Sequence, residues 1–194
     1  MSREVVLVDY GVGNVQSIKF ALERLGCVGV LSADHERIIN ASHVIFPGVG
    51  HAETAFNNLQ QFGLDSLLPQ LKQPVLGICL GMQLMCNHTE EGDTPGLGIF
   101  DLKVLRFTNV SKIPCVGWNS LENLKSPLFN GLELTYMYFV HSYYAPLSNQ
   151  TIASVQYGLT YSAALQKDNF FGVQFHPERS GKDGEQLLKN FITL

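Results

Sequence analysis

One cysteine of the four in this chain stands where a thiol can do chemistry. The run Val75-Leu76-Gly77-Ile78-Cys79-Leu80-Gly81-Met82-Gln83 reads as a short apolar strand, a reactive side chain boxed by glycines, and the start of a helix. A thiol there sits on a sharp strand-to-helix turn, and Gly77 and Gly81 leave room for the close backbone approach that turn needs. The helix starting at Leu80 aims free N–H groups and the positive end of its dipole at the sulfur, which favours a thiolate. Taken alone, Cys79 is equally well a small buried apolar residue. The far end of the chain weighs against that. Residues 170–175 form a strand pattern running into His176-Pro177-Glu178. A thiol nucleophile needs an imidazole base, and the imidazole needs a carboxylate to fix its tautomer and orientation. Pro177 is expected to keep this segment extended and stiff, with both side chains on one side of the strand end. A third piece, Pro47-Gly48-Val49-Gly50, closes another strand and can present backbone N–H groups to an oxyanion.

These pieces need a scaffold. Val5-Val6-Leu7-Val8 is a continuous apolar run of the kind buried on both faces of a sheet. Asp9-Tyr10-Gly11-Val12-Gly13-Asn14 follows as a loop, and Val15, Ile18, Leu22 and Leu25 mark one face of a helix stopped by Gly26. The glycines invite a dinucleotide-binding reading, but Gln16 occupies the place of the third glycine and the fingerprint fails. A second strand is predicted over residues 27–31, with Ser32 capping a small helix. A third, 43–46, ends at Pro47-Gly48-Val49-Gly50, and helices over about 51–61 and 64–71 lead to the elbow strand. His35, His43 and His51 share no metal-ligand spacing. Strands alternating with helices imply right-handed connections and a mainly parallel sheet. From Glu90 the character changes. A loop over 91–98 precedes strand-like stretches at 102–107, 116–121, 136–140, 152–156, 161–165 and 170–175. These are expected as antiparallel meanders and hairpins added to the parallel sheet, before a last helix over about 184–192.

Composition narrows the function classes. The chain has 194 residues with 45% hydrophobic content, enough for a two-sided core in one domain over residues 1–194. Thirteen basic against seventeen acidic residues give a net charge of −4, without the basic footprint of a nucleic-acid binder or the patch of a membrane binder. Cys27, Cys79, Cys86 and Cys115 show no CxxC spacing and no disulfide framework. The first residues run straight into a strand with no apolar leader, and no segment approaches the roughly 18 apolar residues of a membrane span. The expectation is a cytosolic enzyme subunit.

Gly77-Ile78-Cys79-Leu80-Gly81-Met82-Gln83 together with His176-Pro177-Glu178 resembles the class I (triad) glutamine amidotransferase family. Asp9-Tyr10-Gly11-Val12-Gly13-Asn14, Pro47-Gly48-Val49-Gly50, Gly117-Trp118-Asn119 and Tyr138-Phe139-Val140-His141-Ser142-Tyr143 narrow the likeness to the glutaminase subunits of imidazole glycerol phosphate synthases. The match runs through the whole chain in order. The resemblance implies an α/β, flavodoxin-like fold: a mixed, mainly parallel sheet flanked by helices, with antiparallel additions in the C-terminal half. It implies Cys79 as nucleophile, His176 as base and Glu178 as its orienting carboxylate. Leu80 and Gly48-Val49-Gly50 would meet the oxyanion, and Gln83 with the backbone of Ser142 and Tyr143 would bind the amino-acid end of glutamine. Asn14, Trp118, Tyr138 and Arg179 would form a patch docking on a (βα)₈-barrel synthase that receives ammonia in histidine biosynthesis, with no cofactor, metal, nucleic acid or membrane involved.

Two positions depart from the family pattern. Cys115 stands where it usually carries His, and Arg179 where Lys commonly follows the triad carboxylate, with a different reach and fork geometry. Both fall in segments the family uses against its partner, so they bear on the partner rather than the chemistry. Other readings of the same residues stay open: a paralogous subunit feeding a sugar-modifying synthase in surface-polysaccharide assembly, a stand-alone Cys hydrolase, and a catalytically dead binding module.

Overall fold

The computed structural model describes residues 3–11, 15–108, 110–133 and 135–194. Its organising element is a seven-stranded sheet with the elbow strand at the centre. Strands β1 (Arg3–Val8), β2 (Cys27–Ser32), β3 (Val44–Gly48) and β4 (Val75–Cys79) run parallel to one another, as the alternating pattern predicts. Between them lie α1 (Val15–Arg24), α2 (His35–Asn40), α3 (Ala52–Gln61) and α4 (Leu64–Leu67). The apolar runs are buried on both faces because successive side chains point to opposite sides. Val5 and Leu7 pack with Ile45, Leu76 and Ile78 in one core, while Val6 and Val8 pack with Val44, Phe46 and Val75 in the other.

The second half is more divided than its sequence suggests. After β4 comes α5 (Leu80–Met85), which stops after six residues, and the chain turns at once into β5 (Cys86–Thr89). The predicted loop 91–98 holds a 3₁₀ turn over Glu91–Asp93 and the short β6 (Thr94–Pro95). Strands β7 (Phe100–Arg106), β8 (Cys115–Ser120), β9 (Tyr136–His141), β10 (Tyr143–Tyr144), β11 (Thr151–Tyr157), β12 (Leu159–Lys167) and β13 (Phe170–Val173) follow, then α6 (Gly181–Phe191). Only three of these join the main sheet, whose order is β11-β12-β13-β4-β3-β1-β2. β11, β12 and β13 are antiparallel, as expected, but β13 runs parallel to β4. β10, β7, β5 and β6 make a separate four-stranded sheet in which β5 and β7 are parallel. β8 and β9 form a two-stranded antiparallel ribbon of their own.

Several local expectations are corrected. The cap of α2 is Asp34, whose side chain accepts from the Arg37 N–H at 2.7 Å, while Ser32 Oγ accepts from the Asp34 N–H one turn earlier. The 64–71 helix is two pieces, α4 and a 3₁₀ turn over Leu68–Gln70. α6 begins three residues before the predicted start. Pro177 opens a 3₁₀ turn over Pro177–Arg179 instead of continuing an extended strand. A proline is well placed in the first turn of such a helix because its missing N–H has no partner to lose there.

Candidate active site

The sheet order places β3 on one side of β4 and β13 on the other. Gly48 pairs with Cys79 and Val173 with Ile78, so the glycine segment, the thiol and the chain leading to His176 leave the same carboxyl edge side by side. This is where open α/β sheets hold their ligands.

Cys79 is an elbow in fact. Its φ of 53° and ψ of −110° put a non-glycine residue in a sparsely populated region that costs about 1–3 kcal/mol and persists only when packing enforces it. The packing is visible in the glycines around it. An added Cβ at Gly81 would overlap the Phe46 carbonyl, one at Gly77 would come within 2.9 Å of Met82 N, and one at Gly48 within 2.5 Å of Gly81 N. β3, β4 and the first turn of α5 therefore touch backbone to backbone.

His176 and Glu178 meet across the 3₁₀ turn, with Nδ1 to Oε1 at 2.8 Å and side chains only 7% and 5% exposed. The Nδ1–H donates to the carboxylate, which leaves Nε2 for the thiol. Burial alone pulls the His176 ring down, but the Cys79 sulfur and the Glu178 carboxylate outweigh it and raise the ring to about 10. The contact with sulfur is not an aligned hydrogen bond. Nε2 has no partner of that geometry, and the thiol points to the Val140 carbonyl at 3.9 Å. We take this as electrostatic coupling at close range; catalytic hydrogen bonds are often loose until substrate aligns them.

A cavity of about 370 Å³ opens at this edge. Cys79, His176 and Glu178 line it together with Gly48, Val49, Gly50 and Leu80, and so do Gln83, Ser142, Tyr143 and Arg179. Trp118 and Tyr138 do not. They lie on the β8–β9 ribbon as a cross-strand pair with ring centroids 6.1 Å apart, and the Arg179 guanidinium sits 4.3 Å over the Tyr138 ring. Trp118 is 54% exposed and is flanked on the same face by exposed Val116 and Tyr136. Asn14 lies outside the described residues. Cys115 does not face outward with this patch: it is fully buried, beside Tyr161 and Asn119, and burial pushes its thiol up.

Gln83 differs most from expectation. Its Nε2 is committed inward, to the Tyr143 carbonyl at 3.0 Å and Gln174 Oε1 at 2.9 Å, so only its carbonyl oxygen is left to offer a ligand. Sequence reasoning passed over four residues that the geometry brings in. Glu91 lines the cavity and its carboxylate accepts the Ala52 N–H at 3.0 Å, which sets an anion beside the cavity suited to an ammonium group. Tyr10, buried, donates to the Pro47 carbonyl at 2.6 Å and braces the strand before Gly48. Gln174, just past the end of β13, and His141, the last residue of β9, are buried and polar beside apolar strand residues. That oddity was the signal that could have found them, since a buried amide or imidazole needs partners to offset its desolvation.

The model of the class-I glutamine amidotransferase family matches residues 6–194. The chain belongs to the class-I glutamine amidotransferase family. This amidotransferase is 50% identical to the imidazole glycerol phosphate synthase subunit HisH of Bacteroides thetaiotaomicron, over 98% of the chain and all of the relative. It is 46% identical to the protein of the same name from Pectobacterium atrosepticum, again over 98% of the chain and all of the relative. Among solved structures, the amidotransferase superposes with a TM-score of 0.76 on a glutamine amidotransferase at 20% identity, covering 97% of each chain. It also superposes on PurLQS from Thermotoga maritima with a TM-score of 0.73 at 18% identity, covering all of this chain and 99% of that one. At those identities the structural likeness speaks for the fold.

Proposed function

We propose that this chain is the glutaminase subunit of an imidazole glycerol phosphate synthase, with Cys79, His176 and Glu178 as its catalytic triad. One observation carries the reading: a strained cysteine elbow and a buried His–Glu pair open into one cavity, in a chain similar from end to end to synthase subunits. His176, raised by the sulfur and by Glu178, holds the proton drawn from Cys79, and the thiolate attacks the side-chain carboxamide carbon of glutamine. The tetrahedral oxyanion is met by the Leu80 N–H, at the start of α5, and by an N–H of the Gly48-Val49-Gly50 segment. Collapse expels ammonia, which carries away the proton from His176, and leaves a thioester on Cys79. His176 then deprotonates a water that attacks the thioester, and glutamate leaves with the thiol restored. Glu178 holds the imidazole and stabilises its charge in both halves. Glu91 and the Gln83 carbonyl receive the substrate ammonium group.

The ammonia passes to a (βα)₈-barrel cyclase, which incorporates it in histidine biosynthesis in the cytoplasm. The docking surface is the outer face of the β8–β9 ribbon with Arg179. Trp, Tyr and Arg are the residues on which interface energy concentrates, and here a Trp, a Tyr and an Arg stand together beside the cavity. The test is co-purification with the barrel subunit and a glutaminase assay with and without its nucleotide ligand. One misplaced oxyanion donor is worth about 10²–10³ in rate, so stimulation of that order is expected on ligand binding. Cys79→Ser should abolish glutamine-dependent synthesis and leave ammonia-dependent synthesis intact. Full-rate turnover by the single chain, or glutamine hydrolysis by Cys79→Ser, overturns the reading.

A further inference from the structure

A line of hydrogen bonds runs from the interior of the C-terminal half to the sulfur of Cys79, and the position of every proton along it is determined. The fixed point is the Tyr143 carbonyl, which can only accept. His141 Nδ1 is 2.7 Å from that oxygen, so Nδ1 carries the ring proton. Nε2 is then an acceptor, and the Tyr161 hydroxyl 2.9 Å away donates to it. Burial brings His141 down to about 4 against the pull of the Tyr143 carbonyl, so the ring is neutral, as this pattern requires. Gln83 reaches the same carbonyl with Nε2 and gives its other hydrogen to Gln174 Oε1. The oxygen of Gln174 is therefore turned toward Gln83, and its NH₂ group toward Cys79, with Nε2 at 3.7 Å from Sγ.

Gln174 is fully buried in the run Phe-Phe-Gly-Val-Gln-Phe. A Leu or Met would fill that wall with no need of partners. The structure holds a polar group there and fixes its polarity through Gln83 and the Tyr143 carbonyl. Fully satisfied buried networks specify one orientation, and this one aims a donor at the reacting atom. A hydrogen bond to a charged acceptor is about twice as strong as one to a neutral acceptor, so the donor strengthens as the sulfur gains charge.

We propose that Gln174 is a catalytic residue: its Nε2–H donates to the Cys79 sulfur and stabilises the thiolate when His176 takes the proton. Gln83 and the Tyr143 carbonyl are positioning groups that hold the amide in that polarity, and His141, backed by Tyr161, holds that carbonyl in place. This rests on Cys79 as the nucleophile. The experiment uses the complex with the barrel synthase and compares Gln174→Met, Gln174→Glu, Tyr161→Phe and the Gln174→Met/Tyr161→Phe double variant. Two readouts are taken: kcat and KM for glutamine, and the rate of Cys79 alkylation by iodoacetamide at pH 7. Hydrogen bonds to charged groups imply a loss of about 10- to 100-fold in kcat and in alkylation rate for Gln174→Met, with KM changed less than about threefold. Gln174→Glu, of the same shape but with an oxygen facing sulfur, should lose more than Gln174→Met.

Tyr161→Phe leaves His141 Nε2 without its donor, one step behind the Tyr143 carbonyl, and should lose less than Gln174→Met. The double variant should lose no more than Gln174→Met alone, because residues in one network do not act additively. Circular dichroism and co-elution with the barrel subunit check that each variant is folded. Alkylation and kcat of a folded Gln174→Met within about twofold of the parent would overturn the proposal, and so would additive losses in the double variant. A parent in which iodoacetamide labels another cysteine while turnover survives would instead overturn the nucleophile assignment.

Discussion

Glu178→Gln keeps the shape of the side chain and removes the charge that faces His176 Nδ1 at 2.8 Å. The imidazole rises from 6.5 to about 10 although burial opposes the rise. At about 1.4 kcal/mol per pH decade this amounts to about 5 kcal/mol of preference for the charged ring. Cys79 and Glu178 both supply it, and the part that rests on Glu178 is its hydrogen bond to the charged ring, a class of bond worth about 2 kcal/mol. The sign follows from linkage. The folded ring binds its proton more tightly than the unfolded one, so the stabilisation is complete below 6.5 and disappears as pH climbs through about 10. Urea unfolding of parent and variant across that window should show a deficit of about 2 kcal/mol in the variant near the acid end. The deficit should close toward the alkaline end. Glutamine turnover in the synthase complex should fall by about 10²–10⁴, since the base loses its orienting partner. A deficit independent of pH, or none at the acid end, would refute the account of the pair.

The other expectations rest on packing, exposure and burial. An electrophilic glutamine analogue should label Cys79 alone at neutral pH, because Cys86 is fully buried with its thiol pushed up to about 12 and burial also pushes up Cys115; peptide mapping that finds either one first counts against the elbow. Gly81→Ala should cost about 3 kcal/mol of stability and all turnover, since its Cβ would meet the Phe46 carbonyl of β3; a thermally unchanged, active variant would show that the strands are not in register there. Trp118→Ala and Arg179→Ala, made separately, should each weaken association with the barrel subunit by about 2 kcal/mol or abolish ligand stimulation, with Cys79 labelling unchanged. If both variants bind and respond like the parent, the docking face lies elsewhere.

The legible parts of this fold are those fixed by neighbours in sequence. A glycine two residues before and two after Cys79 announces an elbow, and four apolar runs spaced by helices announce a parallel sheet. What escaped was set by distant partners. Nothing near Met85 says that α5 must stop, but an added Cβ at Gly96 would overlap the Cys86 carbonyl and β5 pairs with β7, so the fold demands a strand there. The same holds for the ribbon. β8 and β9 carry strand patterns, yet which sheet they join is decided by pairing across 16 to 26 positions, from Ser120 with Tyr136 to Cys115 with His141. Residues 115–120 gave no local sign that Cys115 turns inward. Gln83 was expected to face the substrate because it sits one turn past the nucleophile; its inward commitment depends on Tyr143 and Gln174, about 60 and 91 positions away.

The ribbon is fastened to the catalytic turn at one point. The Tyr138 carbonyl accepts the His176 N–H at 2.9 Å, the Tyr138 N–H donates to Ser180 Oγ at 3.0 Å, and that hydroxyl donates to the His176 carbonyl at 2.6 Å. His176 is thus tethered twice, to the central sheet through Gln174 and Phe175 and to the ribbon through this clip, whereas Cys79 is built into the central sheet. The backbone that carries His176 is shared between the central sheet and the ribbon that bears Trp118 and Tyr138. Docking on the exposed aromatic face is expected to be felt at His176 through this clip, because the two share backbone hydrogen bonds.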